Sequence, residues 1–374
     1  MKNYLALLLT LLLLGCSGGS DKPDPQPTDE GKDRSVMLKA LAEDVIIPSY
    51  DQFKTKFDLM QQKSKAFTSK PDAQTLAEFR SAWADAYVAW QRVELFDFGP
   101  AEKQAIRNFY NIYPASEAGI AANIADPASS LEVPASYPTQ GFPALDYLLN
   151  GLGTNDTSLL AHYISDKDAS KKLAYINRVV ARMELLLGKV VGDWKGEYLN
   201  TFISKTGLDI GSSTSLMVNG LVLHYERYIR SGKFGIPSGA MANGIPAPDK
   251  VEAFYKKDIS RTLAQTAHKA YADFFNGRHA ATGEAGPSLR TYLDALGAKD
   301  SGSGKMLSES INTQFQSAAT KLDALNPNLY EEVRTNNQAM KDTYSEMQKA
   351  VRMLKVDMTS AMSITITYTD NDGD

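Results

Sequence analysis

LAYINRVVARMELLLGKVVGDW, Leu173–Trp194, is the stretch that decides the fold. Leu173, Ile176, Val180, Met183, Leu187, Val190 and Trp194 follow one another at alternating steps of three and four. That spacing lines one face of a helix and no face of a strand. The stretch predicts a long amphipathic helix with an a/d seam. The same step runs through Leu76, Phe79, Trp83, Tyr87, Trp90, through Ile311, Phe315, Ala318, Leu322, Leu325, and through Met340, Tyr344, Met347, Val351, Leu354, Met358. Amphipathic helices joined by short polar turns pack as antiparallel bundles. Only Ile364 to Tyr368 alternates as a strand does, and it is too short to make a sheet alone. The expected class is all-α, with two packed helical bundles over 34–206 and 207–374, divided near Thr206 to Ser212.

The N-terminus reads as an address. Lys2 precedes an apolar run from Leu5 to Leu14 that is too short to remain in a membrane, so residues 1–15 are expected to be a signal peptide. Leu13, Leu14, Gly15 and Cys16 look like a bacterial lipobox, in which the cysteine carries lipid; a plain signal peptide with an incidental cysteine is the alternative. Cys16 is the only cysteine of 374 residues, which leaves no disulfide framework and no thiolate metal site. Residues 16–33 are Gly, Pro, Ser and charge, the composition of a flexible tether. The expected partner is therefore a membrane, reached through lipid on Cys16, and the expected place is the bacterial cell envelope, with Ser17 leaning toward the outer membrane. A formal net charge of −4 argues against a nucleic-acid footprint.

Several residues stand out as candidates for a site. Continuing the aromatic stripe Trp83, Tyr87, Trp90 by one more step lands on Glu94, a carboxylate aimed inward or along the seam between bundles. A buried carboxylate is costly unless paired; a rim glutamate paired with a nearby Arg or Lys is the simpler reading. In GFPALDYLLNG, Gly141–Gly151, Pro143 suits the first turn of a helix, and Asp146 is expected near the positive end of that helix. In the segment from Gly220 to Gly239, Val218, Leu221, Val222, Tyr225 and Ile229 are expected to face the core. His224 and Glu226 then fall roughly 160° apart at ~100° per residue and cannot close on one ion. Glu226 and Arg230, at i and i+4, are expected to pair, either along the seam or as an exposed bridge. His162, His268 and His279 are too scattered for a ligand set and are expected at the surface or on helix flanks.

Two breaker-rich stretches, Ala125 to Gly141 and Ser231 to Pro248, are expected to be long loops that carry function or cover something. No HExxH is present, and SGSGK at Ser301 to Lys305 lacks the glycine and hydroxyl of a phosphate loop. The tail DNDGD, Asp370 to Asp374, is read as a solvated acidic terminus.

Taken together, GFPALDYLLNG, the Trp83 to Gly99 block ending ELFDFG, the Glu226–Arg230 helix end with its GIPSG loop, and the C-terminal VDMTSAMSITITYTDNDGD resemble imelysin-like bacterial envelope proteins. The resemblance implies a two-bundle all-α protein linked to iron uptake and historically classed as a metallopeptidase. It also implies a Gly-x-His-x-x-Glu signature, of which Gly141 and an acid at Asp146 remain. Pro143 stands where the His would be and offers no lone pair, so Asp146 is the one metal ligand left there, and catalytic residues are not expected. The leading expectation is a non-catalytic binding or accessory lipoprotein of iron uptake, with iron as the possible cofactor and an iron-transport component as the possible partner. Its ligand would sit where the Gly141 helix, Glu94 and the Glu226 helix converge, with Gly141, Pro143, Asp146 and Arg230 around it. A metal-dependent hydrolase using Glu94 or Asp146 as ligand or base, or an accessory lipoprotein of another nutrient system, are the alternatives.

Overall fold

The structure is a computed structural model that describes residues 32–369. The leader, the lipobox with Cys16, most of the tether and the acidic tail Asp370–Asp374 lie outside the described residues. The principal helices are α1 (Arg34–Ala40), α2 (Ile47–Ser69), α3 (Ala73–Trp90), α4 (Ile106–Tyr110), α5 (Gly141–Asp146), α6 (Ala169–Lys195), α7 (Ser213–Leu223), α8 (Ser260–Phe275), α9 (Leu307–Asp323) and α10 (Asn337–Arg352). Among the described residues no strand forms beyond two isolated bridges, Arg278 with Ala285 and Lys299 with Met306.

The predicted seam is the inner face of α6. Ile176, Val180, Met183, Leu187, Val190 and Trp194 are buried and Leu173 is half-buried. α2 packs against both α3 and α6, which builds the N-terminal half. Asp72 fixes where α3 starts: its Oδ1 accepts from Thr75 N at 2.9 Å, and its own N–H donates to Thr75 Oγ1 at 3.1 Å, a reciprocal cap. In the C-terminal half, α8 packs on α9, α9 on α10, and both α8 and α10 on the helical segment that continues α7.

α1 touches both halves. It packs on Glu197–Ser204 and on α7, and Arg34, 6% exposed, donates from Nε to Tyr292 Oη at 2.9 Å and from Nη2 to the Met362 carbonyl at 2.9 Å. Ile364 to Tyr368 joins no sheet. The side-chain amide of Asn219 serves as its edge, donating to Thr365 O at 3.0 Å and accepting from Thr367 N at 2.8 Å.

Between His224 and Gly235 the chain that continues α7 is bonded as a π-helix. The expected loop from Ser231 is therefore helical through Gly235, and the breaks begin at the left-handed Gly239. Such widened turns are rare and cluster at functional sites.

Candidate functional site

α3 stops at Trp90, yet the next turn keeps its phase because Glu94 N donates to Trp90 O at 2.9 Å. Gln91 and Glu94 are thus carried inward, and Glu94 is 3% exposed, which overturns the rim reading. Asn111 ends α4, 4% exposed, and the segment after Val251 adds Glu252 at 2%. The π-helix contributes His224, Tyr228 and Lys233.

These side chains form one bonded network. Tyr87 Oη donates to Asn111 Oδ1 at 2.6 Å. The Asn111 amide donates to Glu94 Oε1 at 3.0 Å and to Glu252 Oε1 at 2.8 Å. Gln91 Nε2 donates to Glu252 Oε1 at 2.9 Å, and Lys233 Nζ donates to Gln91 Oε1 at 2.8 Å and to Glu252 Oε2. His224 Nε2 stands 3.7 Å from Glu94 Oε2, and neither nitrogen of that fully buried ring has a hydrogen-bond partner. Burial alone would raise the Glu94 carboxyl, but His224 and the charges of Lys233 and Arg107 outweigh it and hold the group well below the usual range. Burial wins at Asp97, whose carboxyl is raised although Arg107 Nε lies 3.3 Å away.

A pocket of about 340 Å³ opens beside this network, lined by Glu94, Arg107, Asn111, Tyr113, Tyr228 and Lys233. Its floor comes from the N-terminal half and one wall from the π-helix, so it lies on the seam. The Arg107 guanidinium sits 3.5 Å over the Tyr228 ring, which fixes its plane. A wider groove of about 730 Å³ between Val45–Ser49 and α8–α9 has charged side chains that pair at the surface, as Lys269 does with Asp273 at 2.5 Å. It has no comparable buried network, and the seam pocket is the candidate site.

The other expected site residues sit elsewhere. Gly141 borders the site through its backbone: φ is +75°, and a Cβ there would collide with the Tyr110 carbonyl, next to Asn111. Phe142 stacks on Tyr87 at 4.5 Å, and Trp83 Nε1 donates to Phe142 O at 3.3 Å, so the aromatic stripe of α3 grips α5. Pro143 lies in the first turn of α5, as expected. Asp146 does not sit at the positive end; it is the last residue of α5, too far along to meet the free N–H groups. Its carboxylate instead accepts from Tyr255 N at 2.9 Å, Lys256 N at 3.0 Å and Asn150 Nδ2 at 3.0 Å, latching the 255–256 backbone to α5.

Glu226 and Arg230 are buried, at 4% and 1%, with Nη2 to Oε1 at 3.9 Å, so the exposed-bridge reading falls. Both face the C-terminal half, where Glu226 accepts from Lys355 at 3.1 Å and from Tyr368 Oη at 2.8 Å. His224 and Glu226 diverge as expected. Of the named side chains only Glu94 reaches the pocket; Gly141, Pro143, Asp146, Glu226 and Arg230 are not among its lining residues. His268 is not a surface residue: it is 4% exposed, with Nδ1 3.1 Å from Tyr225 Oη and Nε2 2.9 Å from Phe315 O.

Sequence reasoning missed Gln91, Arg107, Asn111, Lys233 and Glu252. For Lys233 the cause is geometric. Nine residues from His224 in an α-helix span about 900°, which ends on the opposite face. A helix bonded i to i+5 turns by roughly 80–85° per residue and returns nearly to the same face. Gln91, four residues after Tyr87, lay on the same helical step as Glu94 and had that signal; Lys233 had one only if the π-turn was known.

A buried donor–acceptor network thus lies at the seam of an all-α protein of packed helical bundles, with a small pocket beside it. The Imelysin family model matches residues 46–358, and the chain belongs to that family. It is 25% identical over 145 residues to Iron-regulated protein A of Synechococcus elongatus, a match that covers 39% of this chain and only 40% of that relative. The fold is that of an Imelysin-like protein from Psychrobacter arcticum (TM-score 0.67, 18% identity, 90% of this chain and 98% of that one). An iron-regulated protein A precursor from Parabacteroides distasonis shares it too (TM-score 0.71, 16% identity, 90% and 97%).

Among the described residues no three His, Cys, Asp or Glu side chains come together as a cage for a metal ion. At the signature, both oxygens of Asp146 already accept N–H groups and Pro143 has nothing to donate. The residues at the degenerate signature do not fit a bound metal.

Proposed function

We propose that this chain is a non-catalytic binding component of bacterial iron uptake, held at the envelope by lipid on Cys16, with its ligand in the seam pocket. The observation that carries the reading is the pocket itself. Glu94 and Lys233 are buried at its edge and tied to Asn111, Gln91 and Glu252, and Arg107 is held over the Tyr228 ring. A charged, preorganised wall beside a cavity binds; it has no nucleophile with an adjacent base, which covalent catalysis needs. Membership of the imelysin family and the name of the Synechococcus relative, Iron-regulated protein A, supply the link to iron. Hydrolysis by a zinc- or iron-bound water takes three protein ligands, and neither Asp146 nor Glu94 has two companions of the right kind.

The test pairs binding with physiology. The full chain is titrated with ferric and ferrous iron, haem and iron-loaded siderophores, and a deletion strain is grown under iron limitation. Binding of an iron species together with slowed growth is expected; no binding to any of them and normal growth would sink the reading. Labelling with a radioactive fatty acid, lost in Cys16→Ala, checks the anchor.

A further inference from the structure

We infer that the seam pocket takes a small planar anion, an aromatic ring carrying a carboxylate or catecholate, rather than a bare metal cation. The inference deepens the reading above and rests on it only for the connection to iron.

The polar groups around the pocket divide unequally between acceptors and donors. Every acid at the site already has a basic side chain against it: Glu94 has the His224 ring at 3.7 Å, Asp97 has Arg107 Nε at 3.3 Å, and Glu252 has Lys233. Glu94 and Glu252 are further occupied by the two N–H groups of Asn111. A metal ion entering here would have to break those pairs in a buried place, where an abandoned cation is costly.

Donors, by contrast, are left over. Lys233 has three N–H groups and spends two, on Gln91 and Glu252. Arg107 is 7% exposed; its Nη2 donates to Asn108 and its Nε faces Asp97 at 3.3 Å, which leaves Nη1 with no hydrogen bond among the described residues. The Tyr113 hydroxyl has no hydrogen bond among the described residues, and Tyr113 lines the same pocket. Three donor groups, two of them charged, thus border one cavity whose acceptors are already used. The guanidinium cannot swing away, because Tyr228 holds its face at 3.5 Å. A fixed fork beside an ammonium is the arrangement that recognises a carboxylate or a pair of adjacent phenolates.

The remaining wall decides the body of the ligand. Ile112, Pro114 and Ile236 supply apolar surface to the same pocket. At about 340 Å³ the cavity is at the small end of ligand pockets, with room for one ring and its anionic group.

The experiment uses the full chain and four probes: 2,3-dihydroxybenzoate, its neutral amide 2,3-dihydroxybenzamide, the ferric complex of the acid, and ferrous sulfate. Calorimetry is expected to show the acid binding at least tenfold tighter than the amide. Arg107→Gln and Lys233→Met should each weaken the acid about tenfold, the fold-change of one charge-assisted hydrogen bond. Because those two side chains also serve the fold, Tyr113→Phe is the decisive variant. It removes a hydroxyl that bonds nothing in the protein, and it should weaken the acid several-fold with the unfolding midpoint unchanged. Equal affinity for acid and amide, no effect of Tyr113→Phe, no binding of the acid at millimolar concentration, or tight binding of ferrous ion that Glu94→Gln abolishes would each overturn the inference. Comparing the free acid with its ferric complex separates a metabolite from a chelate. Equal binding of the two with normal growth of the deletion strain leaves the anion pocket standing and removes its link to iron.

Discussion

His224 and Glu94 face each other across the seam at 3.7 Å, with side chains 0% and 3% exposed and no hydrogen bond between them. They come from opposite halves of the chain, so the contact joins the turn after α3 to the start of the π-helix. Glu94 also accepts from Asn111 at 3.0 Å. Removing it strands a buried donor of Asn111 and takes away a negative charge close to Lys233. Glu94→Ala is expected to destabilise the protein by about 3 kcal/mol. Glu94→Gln keeps an acceptor for Asn111 and should cost clearly less. Urea unfolding of both variants checks this; equal losses would show that the charge of Glu94 contributes nothing.

Asp146 predicts a pH dependence of stability. Burial pushes its carboxyl up to about 7 from 3.8, against three N–H donors that pull the other way. The folded state therefore holds this proton more tightly than the unfolded chain does. Between about pH 4 and 7 the native protein binds more protons, so stability falls as pH rises through that window, by about 4 kcal/mol for this group. Below the window both states are protonated and the slope vanishes. Asp146→Asn cannot ionise, and its curve of unfolding free energy against pH should be flatter over that range. An unchanged slope would mean that Asp146 is ionised throughout in the folded protein.

Gly141 is the part of the family signature that the fold itself requires. With φ at +75° and the Tyr110 carbonyl against the place of its Cβ, an alanine meets both an unfavourable backbone region and a collision. Gly141→Ala is expected to cost about 2 kcal/mol or more. Because Tyr110 adjoins Asn111, ligand affinity should fall with it. A melting temperature within a degree of the parent's would refute the packing argument.

How far the sequence could be read follows from what sets each side chain's direction. Ile176 to Trp194 and Trp83 to Trp90 were legible because a regular helix turns by a fixed step, and carrying that step past Trp90 found Glu94. Lys233 was not, because the π-turn changes the step and its extra backbone bonds leave no mark in residue type. Asn111 and Glu252 lie on irregular chain, where no period exists to follow. Asp146 failed for another reason. Its partners are backbone N–H groups of residues 255 and 256, more than a hundred positions away, and a backbone donor has no sequence signature. Glu226 and Arg230 paired as their spacing required, but spacing does not tell which bundle a pair will face.

Asn219 offers a test of how the C-terminal segment is held. Its amide takes the place of a neighbouring strand, giving one N–H to Thr365 O and receiving one from Thr367 N. Arg227 Nη2 adds a bond to Thr369 O at 3.0 Å, and Tyr368 reaches Glu226 at 2.8 Å. Asn219→Ala removes both hydrogen bonds to the tail, with a third to Ser215 O inside α7, and leaves the 365–367 backbone to water, a loss of roughly 1–3 kcal/mol local to the tail. The bundles do not depend on it, so the global unfolding midpoint should move little while the segment opens more often. Limited proteolysis is the direct measurement: cleavage after Met362 should quicken several-fold in the variant. Asn219→Asp should behave alike, because a carboxylate cannot donate to the Thr365 carbonyl. Parent-like cleavage in both variants would show that Tyr368 and Arg227 suffice to hold the tail.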